Sequence, residues 1–175
     1  MGCASGQRKA QTGLEKGYCP SYIVFPGERS GSGRERYDAT ATDAELAVYR
    51  DRELANCERR LASGDAAALV ALLEYWHAQK NLPKVAAVYK TYLEKGDDNR
   101  ELAAASASLY ELYSVGSPGL PADPDAAFHY LGQAVKYDPA AYELPYANAL
   151  YVRGLYTDAF SYYLNLAIST FFGLC

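Results

Sequence analysis

The sequence lacks a long apolar run and any strand pattern. A transmembrane helix needs about 18 to 20 consecutive apolar residues, and the longest candidate stretch, residues 66–73, is far shorter. No segment alternates apolar and polar residues, so strands are not predicted. The 17 basic residues are scattered among 21 acidic ones, and without a basic face a nucleic-acid partner is not expected. Half of the 175 residues are apolar, however, so the chain can bury a core.

The sequence is also poor in groups that carry out catalysis. It has only two histidines, His77 and His129, and neither lies in a known catalytic motif. His129 is expected to be solvated or hydrogen-bonded. The four cysteines include no Cys-x-x-Cys pair, which argues against a zinc site or a redox motif. The Gly/Ser-rich run at residues 26–34 lacks the Lys-Ser/Thr pair of a phosphate-binding loop. We therefore predict no enzyme: no catalytic residue, no cofactor and no metal.

The first six residues, Met-Gly-Cys-Ala-Ser-Gly, resemble the processing site of a bacterial lipoprotein, in which Cys3 would carry the lipid. The absence of acidic residues after Cys3 favours the outer membrane over the inner one. The predicted location is therefore the bacterial periplasm, with the membrane contacted only through this anchor. One alternative is a cytoplasmic protein myristoylated at Gly2 and palmitoylated at Cys3, although that motif requires Ser or Thr where Gly6 stands. The other is a cysteine without such a role.

In an oxidising compartment Cys19 and Cys57 could form a disulfide. It would close a loop of about forty residues and stabilise the fold by ~3 to 4 kcal/mol in the loop-entropy model. Alternatively, Cys57 is a buried thiol on the apolar stripe of its helix. Cys175 has no evident partner.

Residues 1–41 have no sustained period and are predicted to be a flexible or irregular N-terminal segment. From Thr42 onward helix follows helix. Thr42 and Glu45 form a capping box, in which each side chain bonds the other residue's backbone N–H. Further start signals are Asp65, Pro83, Asp98 (with Glu101), Asp123, Asp138 and Thr157, the last for a helix ending near Ser169. Glycines 64, 96, 116 and 154 mark helix ends. The predicted class is all-α.

The helices form similar pairs. Ala127-Phe128-His129-Tyr130 recurs thirty-two residues later as Ala159-Phe160-Ser161-Tyr162. Ala86 precedes Tyr89 with the same step, and the mean spacing of about 36 residues is the length of a helix hairpin. Small residues such as Ala147 and Ala159 would let paired helices approach closely, and Gly154 would permit the turn between them.

These pairs resemble the tetratricopeptide and, more closely, the Sel1-like families of α/α repeats. The middle unit matches at Leu109, Tyr113, Gly116, Asp125, Ala127, Leu131 and Ala134, and the last unit at Ala147, Leu150, Gly154, Tyr156, Ala159 and Tyr163. An insert at residues 117–122 separates the middle helices, and the first pair has Lys80-Asn81 in place of the turn glycine. The match covers roughly residues 66–170. It implies a right-handed α/α superhelix, or solenoid, of about three hairpins after a leading helix, forming one repeat domain over 42–175.

Such a solenoid has a concave face built mainly from the first helix of each hairpin, and it binds other proteins there. The residues expected on that face are Tyr75, Tyr110, Tyr142, Tyr146, Asn148, Tyr151 and Arg153, because Tyr and Arg are common in protein interfaces. The expected partner is another protein or a peptide segment. The apolar ending, residues 171–175, suggests self-association.

The resemblance implies a non-enzymatic scaffold or adaptor that supports an envelope assembly, such as exopolysaccharide export, a pilus or a secretion system. Two alternatives stay open. One is a periplasmic regulator that restrains a membrane sensor. The other is a protein that binds or processes glycans with a tyrosine-lined face.

Overall fold

The computed structural model describes residues 19, 20, 23 and 42–172. In this part of the chain there are seven α-helices and no strands, which confirms the all-α prediction. The helices are α1 (Asp43–Leu61), α2 (Ala66–Ala78), α3 (Leu82–Lys95), α4 (Asn99–Val115), α5 (Pro124–Tyr137), α6 (Pro139–Val152) and α7 (Tyr156–Phe172). None of these helices is long and apolar enough to cross a membrane.

The chain divides into two compact units, residues 1–96 and residues 97–175, called unit 1 and unit 2 below. Unit 1 contains α1 to α3, and unit 2 contains α4 to α7. Within each unit every helix contacts the next along the chain, and in unit 1 α1 also contacts α3. The repeat domain predicted over 42–175 spans both units, and its solenoid arrangement stays a prediction.

Side chains at the helix starts explain why the helices begin where they do. The first backbone N–H groups of a helix have no partner within it, so a side-chain acceptor there stabilises the start. Thr42 Oγ1 accepts from the N–H of Glu45 at 3.3 Å, and Glu45 Oε2 accepts from the N–H of Thr42 at 2.8 Å. This confirms the predicted capping box. Asp65, Asp98, Asp123 and Asp138 cap α2, α4, α5 and α6 in the same way.

Two turns need glycine for different reasons. Gly116 ends α4 at φ 72°, and a Cβ there would lie 2.4 Å from a backbone nitrogen of the following loop. Gly154, between α6 and α7, has φ 77° and open space around it, so only its backbone conformation favours glycine. At the equivalent turn between α2 and α3, Lys80 adopts φ 54°. The first pair therefore uses a left-handed lysine where the last uses glycine.

The last helix differs from the prediction. It begins at Tyr156 instead of Thr157 and continues to Phe172, past the expected end near Ser169. The Leu155 carbonyl accepts the first helical bond, from the N–H of Ala159 at 3.0 Å. Leu155 thus occupies the capping position of α7, although its side chain cannot accept a hydrogen bond. Because the prediction looked for a capping side chain, it placed the start of α7 at Thr157.

Unit 1 contains a disulfide between Cys19 and Cys57, 38 residues apart. Cys57 is buried on α1, and Ile23 is buried as well. The same helix also buries Glu53 and Asn56, two polar residues outside the predicted apolar stripe. Arg59 donates a hydrogen bond to Asn56 Oδ1. The buried face of α1 is therefore partly polar.

Eight of the positions that carry the resemblance lie in the core of unit 2, whereas Tyr156 is exposed. The eight are Leu109, Tyr113, Ala127, Leu131, Ala134, Ala147, Leu150 and Ala159. The rings of Tyr113 in α4 and Tyr130 in α5 stack with centroids 5.8 Å apart. Buried small residues at 147 and 159 agree with the close approach expected of α6 and α7. Any pair of packed helices buries such residues, so the repeat type stays a prediction.

Candidate protein-binding surface

Six of the seven residues predicted to bind a partner lie in unit 2, and Tyr75 lies in unit 1. Tyr75 is only 5% exposed, and its ring meets Trp76 edge-on at 4.8 Å. Burial raises the pKa of its phenol, with smaller effects from Arg50 and Asp51. Its ring offers little surface to a partner, so we leave Tyr75 out of the candidate surface. Helix α2 is apolar on almost every side, so its sequence could not indicate which ring faces inward.

A groove of about 570 Å³ lies between α4 and α6 in unit 2, and the start of α5 forms its floor. We call it the α4–α6 groove. Its apolar lining comes from Pro124, Ala127, Phe128, Pro145, Ala149 and Val152, and its polar lining from Tyr110, Ser114, Asn148 and Arg153. Three predicted residues, Tyr110, Asn148 and Arg153, therefore meet here. A few polar groups over an apolar floor are typical of ligand sites.

Asn148 is held in one orientation by the neighbouring helix. The hydroxyl of Tyr163 in α7 donates to Asn148 Oδ1 at 2.7 Å. Because the carbonyl end of the amide takes this proton, its –NH₂ end is the end left to donate to a ligand. Tyr163 therefore makes the groove present a hydrogen-bond donor.

Arg153 is bound within unit 2. Its Nη2 donates to the Pro124 carbonyl at 2.6 Å and to Asp125 Oδ1 at 2.9 Å. Its guanidinium lies 4.4 Å from the centroid of the Phe128 ring, where the negative face of the ring attracts a cation. These contacts join the end of α6 to the start of α5. They hold the Arg153 side chain in place at this end of the groove.

Tyr146 lines a second cavity, of about 470 Å³, on the other side of Phe128 and Arg153. Its ring stacks on Phe128 at 5.2 Å and meets Tyr162 of α7 edge-on at 5.2 Å. Burial raises the pKa of Tyr146, with further contributions from Tyr162 and Asp158. Tyr146 thus joins three helices by aromatic contacts and stays protonated at neutral pH.

The last two predicted residues lie outside both cavities. Tyr142 is half-buried on α6. Tyr151 is exposed and meets Tyr156 edge-on at 5.2 Å. The structure therefore divides the predicted face: Tyr110, Asn148 and Arg153 line one groove, Tyr146 the other, and Tyr142 and Tyr151 neither of them.

Sequence reasoning missed several residues that form the groove. Phe128 appeared only as part of the repeat, although it separates the two cavities. Val152 was not singled out, yet it lines the groove and is 84% exposed. Pro145 lies inside α6 and cannot donate the helical bond to the carbonyl four residues earlier. The proline inside a predicted helix was the signal available in the sequence, whereas the exposure of Val152 could not be seen there.

The groups that could serve in catalysis are dispersed. His129 is exposed and lies 2.9 Å from the Gln133 amide through its Nε2, as expected for a hydrogen-bonded surface residue. His77 is exposed in the last turn of α2. Among residues 19, 20, 23 and 42–172, no three His, Cys, Asp or Glu side chains are close enough together to hold a metal ion.

Three predictions fall wholly or mostly outside what the structure describes. They are the lipid anchor at Cys3, the flexible or irregular character of residues 1–41, and self-association through residues 171–175, whose side chains are not described. No protein-family model, curated protein or solved structure matches this chain. The resemblance to Sel1-like and tetratricopeptide repeats therefore rests on the residues quoted above.

Proposed function

We propose that this chain is a non-enzymatic protein-binding scaffold of the Sel1-like or tetratricopeptide type, and that unit 2 takes up a peptide segment in the α4–α6 groove. The observation that carries the proposal is the groove itself. Its volume of about 570 Å³ is within the range of roughly 300 to 1,000 Å³ of ligand sites. It exceeds the size of one side chain, so it can accommodate a short stretch of polypeptide.

The groups around the groove favour an apolar, uncharged segment. The floor consists of alanine, proline and phenylalanine side chains, which bind apolar groups by excluding water. The amide of Asn148, oriented by Tyr163, can donate to a backbone carbonyl of the segment. Arg153 already bonds Asp125 and the Pro124 carbonyl, so it adds little attraction for an acidic ligand.

Two exposed valines of unit 2 provide a matched test. Val152 and Val115 are 84% and 82% exposed, but only Val152 lines the groove. Peptides selected from a random display library on the wild-type protein should bind at least ~10-fold more weakly to Val152→Glu, a loss of about 1.4 kcal/mol. Binding to Val115→Glu should stay within about twofold, since the same charge is added away from the groove.

Equal loss in both valine variants, or in neither, would contradict the proposal. Tyr163→Phe refines the test, because it removes the hydroxyl that orients Asn148 while keeping the ring. We expect it to weaken binding severalfold with little change in the thermal midpoint. A set of ligands dominated by oligosaccharides in a glycan-binding screen, with no peptide binder, would favour the glycan alternative instead.

The cellular setting is a separate proposal. We propose a periplasm-facing lipoprotein anchored at Cys3 in the outer membrane, supporting an envelope assembly for exopolysaccharide export, pilus formation or secretion. The support is the small residues around Cys3 and the two cysteines that are paired by the disulfide in unit 1, since disulfides persist in oxidising compartments. A signal peptide encoded directly upstream of Cys3 would support this setting, and a gene without one would contradict it.

A regulator that restrains a membrane sensor from the periplasm would use the same groove. The identity of the protein recovered with the chain from envelope extract distinguishes the two roles. Recovery of an assembly component favours the scaffold, and recovery of a sensor kinase favours the regulator. Loss of the recovered protein with Val152→Glu would place it in the α4–α6 groove.

A further inference from the structure

The α4 side of the α4–α6 groove offers a hydrogen-bond acceptor. Ser114 lines the groove, and its Oγ donates its proton to the backbone carbonyl of Tyr110 at 2.7 Å. A hydroxyl has one proton and two lone pairs, so Ser114 has only acceptor capacity left for a ligand. The phenol of Tyr110, on the same side, can donate or accept and therefore does not select between the two.

The α6 side of the groove offers donors. Because the hydroxyl of Tyr163 donates to Asn148 Oδ1 at 2.7 Å, the –NH₂ end of Asn148 is the end that can bond a ligand. Arg153, on the same helix, has N–H groups and no acceptor. A ligand that lies between the two helices therefore meets an acceptor on its α4 side and donors on its α6 side.

An extended polypeptide has the matching pattern. A peptide group is planar and trans, so its N–H and its C=O point in opposite directions. In an extended segment these groups lie across the chain direction and are not bonded to each other. Because the extended chain repeats every two residues, every second peptide group along the groove can direct its N–H to Ser114 and its C=O to Asn148.

A helical segment lacks this pattern. Its main-chain N–H and C=O groups bond each other, except in the first and last turns. A helix in the groove would remove water from Ser114 and Asn148 without giving them main-chain partners, and a buried polar group without a partner is unfavourable. The polar groups of the groove therefore favour an extended ligand over an amphipathic helix.

We propose that the segment bound in the α4–α6 groove is extended, and that two side chains bind its main chain from opposite sides. Ser114 accepts a hydrogen bond from an N–H of the segment, and Asn148 donates one to a C=O. This inference rests on the proposed function, because it requires that a peptide occupies the groove. It adds the conformation of that peptide and makes Ser114 a residue that determines specificity.

The dimensions of the groove indicate how long the extended segment is. Along α6 the groove is lined from Pro145 to Arg153, eight positions, or about 12 Å. At about 3.3 Å per residue, this is the length of about four extended residues. Alternate side chains of such a segment point toward the apolar floor. In this mode of recognition the main-chain bonds provide affinity, and the contacts of alternate side chains provide specificity.

The first test uses the strongest-binding peptide selected on the wild-type protein from the random display library. Ser114→Ala should weaken its binding about 5-fold, the effect of one hydrogen bond. Ser108→Ala is the matched control, because Ser108 is on the same helix and its Oγ donates to the Ala104 carbonyl at 2.9 Å, but it does not line the groove. It should leave the affinity within about twofold.

The second test replaces each amide of the same peptide in turn by an ester, which has no N–H. Within a stretch of about four residues, at least one ester should weaken binding to the wild type about 5-fold. The same ester should change binding to Ser114→Ala by no more than about twofold, because the acceptor is already absent. A purely structural role of Ser114 would not produce this dependence on one position of the ligand.

Asn148→Asp tests the opposite side of the groove. It keeps the shape of the side chain and the bond from Tyr163, but an ionised carboxylate has no proton to donate. We expect the peptide to bind at least ~10-fold more weakly. Asn165→Asp adds the same charge at an exposed position of α7 outside the groove and should leave the affinity within about twofold.

The outcomes separate this inference from the proposed function. If Val152→Glu weakens binding but Ser114→Ala does not, and no ester position is sensitive, the extended main-chain contact is wrong and the peptide-binding function stands. A gain of helical circular dichroism by the peptide on binding would assign the groove to an amphipathic helix and also overturn the inference. If Val152→Glu weakens binding no more than Val115→Glu, both proposals are wrong.

Discussion

The two units use their aromatic and polar side chains differently. In the described part of unit 1, Tyr75 and Tyr92 are buried, α1 buries Glu53 and Asn56, and a disulfide joins Cys19 to the same helix. The cavity described there is small, about 180 Å³. In unit 2 the grooves measure about 570 and 470 Å³, and exposed apolar side chains continue along α6 and α7.

The contrast indicates a division of roles. In unit 1, these rings and polar groups point inward and pack among its three helices, and the disulfide ties Cys19 to α1. Apart from the buried Tyr113, the described rings of unit 2 are partly or fully exposed. Contacts such as Arg153 on Phe128 and Tyr163 with Asn148 fix some of them. Surface rings fixed in this way lose little conformational entropy when a partner binds. We therefore expect changes in unit 1 to alter stability and changes in unit 2 to alter binding.

Removal of the disulfide should have the largest effect on stability, and it tests the contrast between the two units. Cys19→Ser combined with Cys57→Ala should lower the free energy of unfolding of unit 1 by about 3 to 4 kcal/mol, because the 38-residue separation restricts the unfolded chain. Trp76 is the only tryptophan and lies in unit 1, so its fluorescence in a urea titration reports this unit. Peptide binding to unit 2 in the absence of urea should be unchanged.

Cys3→Ser combined with Cys175→Ser is the matched control, since it removes two cysteines and keeps the bridge. It should leave the Trp76 transition where it is. If reduction of the wild-type protein also leaves that transition unmoved, the disulfide does not hold unit 1 together and the contrast loses its main support.

Replacing Asp65, which caps α2, should have an intermediate effect on the stability of unit 1, and this effect should depend on pH. Burial raises the pKa of Asp65, but a hydrogen bond from Arg60, the N–H groups of Ala68 and Ala67, and the Arg60 charge outweigh it and lower the pKa. Asp65→Ala should cost about 1 kcal/mol at neutral pH. Asp65→Asn keeps a capping oxygen and should cost less.

The sign of the pH effect follows from the lowered pKa. The carboxylate stabilises the fold fully above its pKa in the unfolded chain, roughly 4, and this stabilisation is lost as pH falls through the lower pKa of the folded state. The difference between the wild type and Asp65→Asn should therefore shrink between about pH 5 and 2, as measured by Trp76 fluorescence in urea. A difference that is constant with pH would mean that the charge of Asp65 does not contribute.

The smallest expected changes in stability come from substitutions at the equivalent turns of the two units. Lys80 has φ 54° in unit 1, and Gly154 has φ 77° in unit 2. Lys80→Gly should stabilise unit 1 by roughly 0.5 kcal/mol, since relief of the left-handed strain exceeds the entropy that glycine adds to the unfolded chain. Gly154→Ala should destabilise unit 2 by about 1 kcal/mol.

Thermal unfolding, followed by near-ultraviolet circular dichroism of the tyrosines for unit 2 and by Trp76 fluorescence for unit 1, measures both changes. Stabilisation by Gly154→Ala, or destabilisation by Lys80→Gly, would show that the two turns are not equivalent.

The helices could be predicted because their ends depend on neighbouring residues. A cap such as Asp65 or Thr42 bonds N–H groups two or three positions away, so the sequence alone contains the signal. The left-handed conformation of Lys80 was not predicted, because a lysine in place of the turn glycine was taken only as a departure from the repeat pattern. The start of α7 was misplaced because Leu155 gives no such local signal.

The site could be predicted only in part, because its geometry depends on contacts between residues far apart in sequence. Arg153 was expected on the binding face, but its bond to Asp125 spans 28 positions. The burial of Glu53 and Asn56 was missed because charged and amide residues are usually exposed. Tyr75 and Tyr110 look alike in sequence, and only the packing of their helices separates a buried ring from one at a groove.

The bond between Arg153 and Asp125 has a consequence for how the groove responds to ionic strength. The guanidinium and the carboxylate lie 2.9 Å apart at the groove, so their fields largely cancel a few ångströms away. A ligand that approaches meets almost no net charge, and added salt has little attraction to screen. Affinity for an uncharged segment should therefore be nearly the same in dilute buffer and in concentrated sodium chloride, and the rate of association should be that of an unsteered encounter.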